Sequence, residues 1–136
     1  MKVSETVKRY VSEAGKTSVI STANKIGQTN IAIFGSLALI DDETVAIMLG
    51  ENRTYRNLAE NPYASYLLTL PGKTGMQTEG CRIYLKVRRM EDGGKDFEAM
   101  KAMIKANIGS AAEMLKHRVV FDVVEVRPIL DFGQGI

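Results

Sequence analysis

The spacing of apolar residues changes from a helical to a strand period near the start of the chain. Val7, Val11 and Ala14 recur at helical spacing, which predicts a helix over Ser4–Ala14 whose first residue is a good N-cap. The segment Thr17–Asn24 is rich in β-branched and small residues, which predicts a first strand.

Five further strands are predicted downstream. They cover Asn30–Ile40, Thr44–Gly50, Tyr63–Leu70, Cys81–Met90 and Arg118–Val126. Short turns such as Asp41–Glu43 indicate antiparallel hairpins, because parallel neighbours need a crossover of about a dozen residues. Six antiparallel strands that close on one another leave no exposed edge, so a small β-barrel is expected.

Two helices interrupt these strands. A short one is predicted over Thr54–Glu60, where Asn61 and Pro62 end it. A longer one over Lys95–Lys116 carries an apolar stripe, and Gly109 is expected to bend or divide it. The stripe consists of Phe97, Met100, Ile104, Ile108, Ala111 and Leu115. The 136 residues fit one mainly β domain with flanking helices.

The composition removes several classes of protein. The formal net charge of +2 is too small to predict a nucleic-acid or membrane surface, and no apolar run is long enough for a membrane span. A lone Cys81 and a lone His117 build neither a disulfide nor a zinc site of Cys and His ligands within one chain. With no signal peptide at the start, a cytoplasmic protein is expected.

Other polar residues have ordinary explanations. We interpret Cys81 as a packing residue and His117 as a surface histidine or one whose hydrogen bonds are satisfied. The basic residues of the fifth strand are interpreted as its solvated face. They are Arg82, Lys86, Arg88 and Arg89.

The segment Val45–Ser65 is the most informative about function. A strand ends at Gly50, and a polar turn with Arg53 and Thr54 leads into a short helix. The first amides of a helix lack partners within it and lie at the positive end of its dipole, so an arginine and a hydroxyl there favour a phosphate site. Gly50 would let the backbone approach a ligand. The alternative is that Thr54 or Asn52 only caps the helix and Arg53 points to water.

Four short motifs follow one another along the chain. They are Gly50-Glu51-Asn52-Arg53-Thr54, then Asn57-Leu58, then Glu60-Asn61-Pro62, and Asp92-Gly93-Gly94-Lys95-Asp96-Phe97-Glu98 at the start of the long helix. In this order they resemble the FMN-binding split-barrel family, the relatives of pyridoxamine 5'-phosphate oxidase, and most of all its small FMN-binding proteins. The resemblance covers nearly the whole chain and implies a six-stranded antiparallel split barrel that binds FMN.

The resemblance also implies where FMN lies. Arg53 and Thr54 match the pair that contacts the FMN phosphate, with Gly50 beside them. The isoalloxazine ring is expected against the second and third strands, with a glutamine from the loop before the fifth strand. These positions are Ile33, Phe34, Gly35, Ser36, Ile47, Met48, Leu49 and Gln77.

The second predicted strand is apolar on both faces. One face carries Ile31, Ile33, Leu37 and Leu39, and the other carries Ala32, Phe34, Ala38 and Ile40. A small barrel is filled by its own side chains, so the ring must lie outside it. The outer face then needs a cover, and we expect a homodimer with the flavin at its interface. The alternative cover is the helix Lys95–Lys116 of the same chain.

The function that follows is that of an FMN-dependent oxidoreductase or reductase with a small-molecule substrate or electron donor. The chain lacks the longer C-terminal portion, with its Arg-Leu motif, that closes the vitamin pocket of pyridoxamine 5'-phosphate oxidases, so that activity is not expected. Because the chemistry belongs to the flavin, no catalytic acid or base and no metal is predicted. A deazaflavin-dependent reductase and a non-catalytic FMN-binding or electron-carrier module remain as alternatives.

Overall fold

In a computed structural model that describes residues 1–136, the chain forms three helices and seven strands. The helices are Glu5–Ser12 (α1), Arg53–Glu60 (α2) and Lys95–Ile108 (α3). The strands are Thr17–Ala23 (β1), Thr29–Ile33 (β2), Ala38–Leu39 (β3), Thr44–Leu49 (β4), Tyr63–Thr69 (β5), Gly80–Glu91 (β6) and His117–Pro128 (β7). Each predicted element is present, but the second predicted strand is divided in two.

The seven strands form one antiparallel sheet in the order β2-β1-β5-β6-β7-β4-β3. The prediction of six strands that close into a barrel is therefore wrong on two points. The predicted strand Asn30–Ile40 leaves the sheet between Ile33 and Ala38, and the two edge strands on either side of this gap are not paired with each other. At the gap the hydroxyl of Ser36 accepts a hydrogen bond from the backbone N of Met48 at 3.2 Å, which replaces a strand-to-strand bond.

The main core lies inside the curved sheet. Alternation along β4 sends Val45, Ile47 and Leu49 into this core. Ala46 and Met48 on the other face of β4 are also buried, although they are not part of the main core. Further buried residues outside the main core are Phe97, Ala112 and Val120. We conclude that α3 and the segment after it cover this outer side of β4 and β7.

The long helix is shorter than predicted. It ends at Ile108, where Gly109 adopts a φ of +67° and the chain continues as a 3-10 segment over Gly109–Met114. The division at Gly109 is confirmed. The burial expected from the apolar stripe is not confirmed, because Phe97 is the only residue of the stripe that is buried within α3. No helix of the structure has the length and apolar character to cross a membrane.

Candidate functional site

Two clefts open near opposite ends of β2. The first, of about 530 Å³, has no hydrophobic lining residue and is called the polar cleft. It is lined by Asn24, Gln28, Thr29, Arg53, Arg56, Asn57 and Glu60. The second, of about 330 Å³, is called the apolar cleft. It is lined by Ile33, Phe34, Gly35, Ser36, Met48, Ile104, Asn107, Ile108 and Leu115. The structure therefore brings together five of the residues predicted to contact the ring.

One face of α2, from Arg53 to Glu60, forms one wall of the polar cleft. Asn52 caps the helix, because its Oδ1 accepts a hydrogen bond from the backbone N of Tyr55 at 2.9 Å. Thr54 is buried in the first turn. The capping alternative thus holds for Asn52, while Arg53 is exposed along the cleft. The side-chain amide of buried Asn57 donates to Thr22 Oγ1 at 3.1 Å and so fixes α2 on β1. The sequence did not predict this contact.

Arg56 is a cleft residue that sequence reasoning missed. It lies three positions after Arg53, which places both guanidinium groups on one helix face. None of the ion pairs in the structure involves either arginine. The one acidic lining residue, Glu60, already accepts a hydrogen bond from the backbone N of Lys25 at 3.2 Å. The cleft consequently has an excess of positive charge that suits an anion.

The apolar cleft is assembled from three separate parts of the chain. Ile33 is 78% exposed at the end of β2, whereas Phe34 is half-buried and packs on the main core. Met48 forms the wall on β4, and Ile104 and Ile108 of α3 close the opposite side. No ionisable side chain lines this cleft. Sequence reasoning missed the α3 residues because nothing local brings them near β2.

Five predicted site residues lie outside both clefts, and one of them is Thr54, which is buried in the first turn of α2. Ile47 and Leu49 are fully buried in the main core, because alternate residues of β4 face the interior of the sheet. A Cβ on Gly50 would lie 2.9 Å from the carbonyl oxygen of Met114, so the close approach expected for a ligand is made by the chain's own backbone. Gln77 lies in an exposed 3-10 segment between β5 and β6.

Strand β2 forms a track between the two clefts. Thr29 lines the polar cleft and Ile33 lines the apolar one. From Thr29 to Ile33 the strand advances by four residues at about 3.3 Å each, so the two clefts are about 13 Å apart. Ile31 lies between them and is 68% exposed. An elongated ligand with an anion at one end and a flat apolar group at the other matches this arrangement.

Two buried basic residues begin β7. His117 is in contact with two carboxylates, so the interpretation of a satisfied histidine is confirmed and that of a surface histidine is wrong. Arg118 donates through Nη1 to both oxygens of Glu91, at 3.0 and 3.1 Å, while its Nε is buried without a partner. Burial alone would raise the pKa of Glu91, but hydrogen bonds and charges from Arg89 and Arg118 hold that pKa below its ordinary value.

The remaining polar interpretations agree with the structure. Cys81 is fully buried, and burial raises the pKa of its thiol to about 12, so it packs and does not react. Lys86, Arg88 and Arg89 are exposed on β6. Arg82 is half-buried and donates to the carbonyl of Ile129 at 2.7 Å. No group of three or more His, Cys, Asp or Glu residues is arranged to hold a metal ion.

Comparison with known proteins identifies the fold. No protein-family model and no curated protein matches the chain. An FMN-binding protein of Syntrophomonas wolfei has a TM-score of 0.81 and 23% identity, covering 93% of this chain and 85% of that chain. HutZ, the heme storage protein of Vibrio cholerae, has a TM-score of 0.70 and 13% identity over 98% and 100% of the two chains. An F420 reductase has a TM-score of 0.70 and 14% identity over 91% and 98%.

These neighbours share the split-barrel fold of FMN-binding and pyridoxamine 5'-phosphate oxidase-like proteins. The resemblance seen in the sequence is therefore confirmed at the level of the fold. The same fold accommodates FMN, F420 and heme among the neighbours, so it does not identify the ligand of this chain. The ligand has to be inferred from the chain's own clefts.

Proposed function

We propose that this protein binds FMN along β2. The phosphate lies in the polar cleft at Arg53 and Arg56, beside the first turn of α2 where Thr54 is buried. The isoalloxazine ring lies in the apolar cleft against Ile33 and the residues that follow it. The observation that carries this proposal is the track of about 13 Å between a cleft with two unpaired arginines and a cleft without charge.

The lining of each cleft suits one part of FMN. Charge-assisted hydrogen bonds from two arginines favour a phosphate dianion. The ring is planar and largely apolar, and Met48, Ile104 and Ile108 provide an apolar wall for it. When bound, FMN supplies the redox chemistry, and the chain orients the ring and limits access to it.

We infer that the protein is an FMN-dependent oxidoreductase that acts on a small molecule. The apolar cleft has no acid or base that could exchange a proton with a substrate, which supports chemistry that belongs to the flavin alone. Steady-state oxidation of NADH or NADPH with several electron acceptors tests this inference. Full occupancy by FMN without turnover of any acceptor would identify an electron carrier instead.

Neither heme nor F420 is favoured by a feature of this chain. The only histidine, His117, has both ring nitrogens in contact with carboxylates and one face against Tyr55, so no free imidazole is available to a heme iron. F420 is a deazaflavin, and its absorption spectrum differs from that of FMN. The spectrum and mass of the cofactor that copurifies with the protein therefore decide between them.

We also propose a homodimer with the flavin beside its interface. Beyond the part of the outer sheet face that α3 covers, Ile31, Ile33, Tyr63 and Val124 are exposed. Such an apolar face fits a second copy of the chain related by a two-fold axis. Light scattering at micromolar protein is expected to give twice the chain mass of 15.0 kDa. A mass near that of one chain would contradict the dimer.

The experiment that tests the cofactor is a titration with FMN and with riboflavin, followed by flavin fluorescence. Riboflavin has the same ring but no phosphate. One charge-assisted contact contributes about 1.5–3 kcal/mol, so FMN is expected to bind at least about tenfold more tightly. Equal affinities would show that the polar cleft does not bind the phosphate.

A further inference from the structure

The polar cleft is larger than one phosphate group needs. Its volume is about 530 Å³. A water molecule takes about 30 Å³ of the liquid, so the five heavy atoms of a phosphate group fill on the order of 150 Å³. FMN in the position proposed above therefore leaves most of the cleft unfilled, and the cleft has room for a longer ligand.

The unfilled part lies at the end of the cleft that is farther from the apolar cleft. Asn57 of α2 donates to Thr22 in β1, and one turn later Glu60 accepts from the backbone N of Lys25, in the turn that follows β1. The helix therefore runs alongside β1 toward this turn. Strand β2 runs back from the same turn to Ile33 in the apolar cleft, so the C-terminal end of α2 points away from the ring.

Three charged residues follow one another along this direction. Arg53, Arg56 and Glu60 are spaced by three and four positions, which places them on one face of α2. At 1.5 Å per residue, Arg56 lies about 4.5 Å along the helix axis from Arg53, and Glu60 lies about 6 Å beyond Arg56. Two guanidinium groups one turn apart suit two linked phosphates, because each guanidinium can bind one phosphate through two N–H groups.

The far end of the cleft carries groups that suit a ribose and a base. A carboxylate repels phosphate, so Glu60 is unexpected in a site for phosphate alone. The only hydrogen bond of its side chain is the one from Lys25 to Oε1, at 3.2 Å. In dinucleotide-binding sites an acidic side chain accepts hydrogen bonds from ribose hydroxyls. Nearby, Oε1 of Gln28 accepts from Asn24 Nδ2 at 2.8 Å, which leaves the NH2 group of Gln28 as a donor for a base.

We propose that the polar cleft accepts a nucleoside monophosphate joined to the flavin phosphate, so that this protein binds FAD as well as FMN. This inference rests on the proposed FMN site. The two phosphates of FAD lie on Arg53 and Arg56, the ribose hydroxyls of its adenosine half donate to Glu60, and the base lies beside Gln28. The ring stays in the apolar cleft as in FMN.

The test is calorimetric titration of the wild type and of Glu60→Gln with FMN and with FAD. The wild type is expected to bind FAD at least as tightly as FMN, because FAD gains contacts that FMN lacks. Glu60→Gln should weaken FAD binding about tenfold, the factor that one charged hydrogen bond gives, and leave FMN binding unchanged. Glu60 is exposed, and FMN binding by the variant reports that it has folded.

A matched control removes one negative charge far from the cleft. Glu13 is exposed at the end of α1 and belongs to no ion pair, so Glu13→Gln should leave the affinities for both flavins unchanged. An equal loss of FAD affinity in Glu13→Gln and Glu60→Gln would reduce the effect to net charge and overturn the ribose contact.

A nicotinamide dinucleotide carries the same adenosine diphosphate unit, and ADP-ribose separates the two sources. In FAD the unit is part of the flavin, so ADP-ribose should compete with FMN for Arg53 and Arg56. Binding of ADP-ribose beside FMN, without release of FMN, would overturn the assignment to FAD.

The two proposals fail in different ways. Tight binding of FMN with FAD more than about tenfold weaker in the wild type, or FAD affinity that is the same in Glu60→Gln, would overturn the inference and leave the FMN site intact. Absence of binding by both flavins would overturn the proposed function, and the inference with it.

Discussion

The two clefts differ in how the chain builds them. The polar cleft combines one hairpin turn with one short helix, so its residues fall into two short segments around Asn24–Thr29 and Arg53–Glu60. The apolar cleft joins the end of β2, the middle of β4 and the end of α3, over a span from Ile33 to Leu115. A charged site is thus built from local motifs, whereas an uncharged site of this kind depends on how distant elements pack.

The two clefts also differ in what they select. Two arginines without ion-pair partners attract any phosphate compound. A cleft of fixed shape without charge accepts a planar ring and rejects charged groups, because an unpaired charge is costly to bury. In the FMN site that we propose, the polar cleft would supply affinity and the apolar cleft would supply selectivity. The predictions that follow test this division of roles.

The largest effect is expected from a charge in the apolar cleft. Ile33→Asp should weaken both FMN binding and dimerisation by about 100-fold or more, because burial of an unpaired carboxylate costs several kcal/mol. Ile33 suits this test better than Phe34, which also packs on the core. Flavin titration and light scattering measure the two effects. Phe132→Asp, at a site 80% exposed in the C-terminal tail, is the control and should change neither.

The next effect concerns the polar cleft. Arg53→Ala and Arg56→Ala should each weaken FMN binding by about 10- to 100-fold, since each removes a contact of about 1.5–3 kcal/mol. Riboflavin binding should stay as it is in the wild type. Arg88→Ala is the matched control, because that exposed arginine is paired only with Asp122. Similar loss in Arg53→Ala and Arg88→Ala would refute the phosphate assignment.

Two glycines separate a packing role from a cleft role. Gly50→Ala should destabilise the fold by about 1–3 kcal/mol, because its Cβ would meet the rigid carbonyl of Met114. The Cβ added by Gly35→Ala would have no neighbour within 4 Å, so this substitution should change stability by less than roughly 1 kcal/mol. Urea unfolding without flavin measures both. Equal stabilities would mean that the backbone near Met114 adjusts without strain.

The smallest effect is expected at Asn107, which has the only side-chain amide in the apolar cleft. Asn107→Ala removes at most one neutral hydrogen bond to the ring, so FMN affinity should fall about two- to tenfold. Riboflavin should lose the same factor, because the contact is to the ring that both ligands share. A loss confined to FMN would place Asn107 near the phosphate and contradict the division between the clefts.

The sequence predicted the elements of the fold well and the walls of the site in part. The alternation along β6 and the N-caps of α1 and α2 are local properties, so these features could be predicted from the residues themselves. The polar turn before α2 likewise identified Arg53. The sequence did not identify Asn24 and Gln28 as cleft residues. They line the polar cleft only because β1 pairs with β2 and both strands pack against α2.

The sequence by itself determined which segments become strands and helices, since periodicity and capping act over a few residues. The tertiary structure decided that Ile47 and Leu49 face the core, that Gly50 makes room for Met114, and that His117 lies between two carboxylates. These outcomes depend on which strand neighbours which and on how the sheet curls. The physical reason is that burial and close approach are properties of pairs of segments, which no single segment encodes.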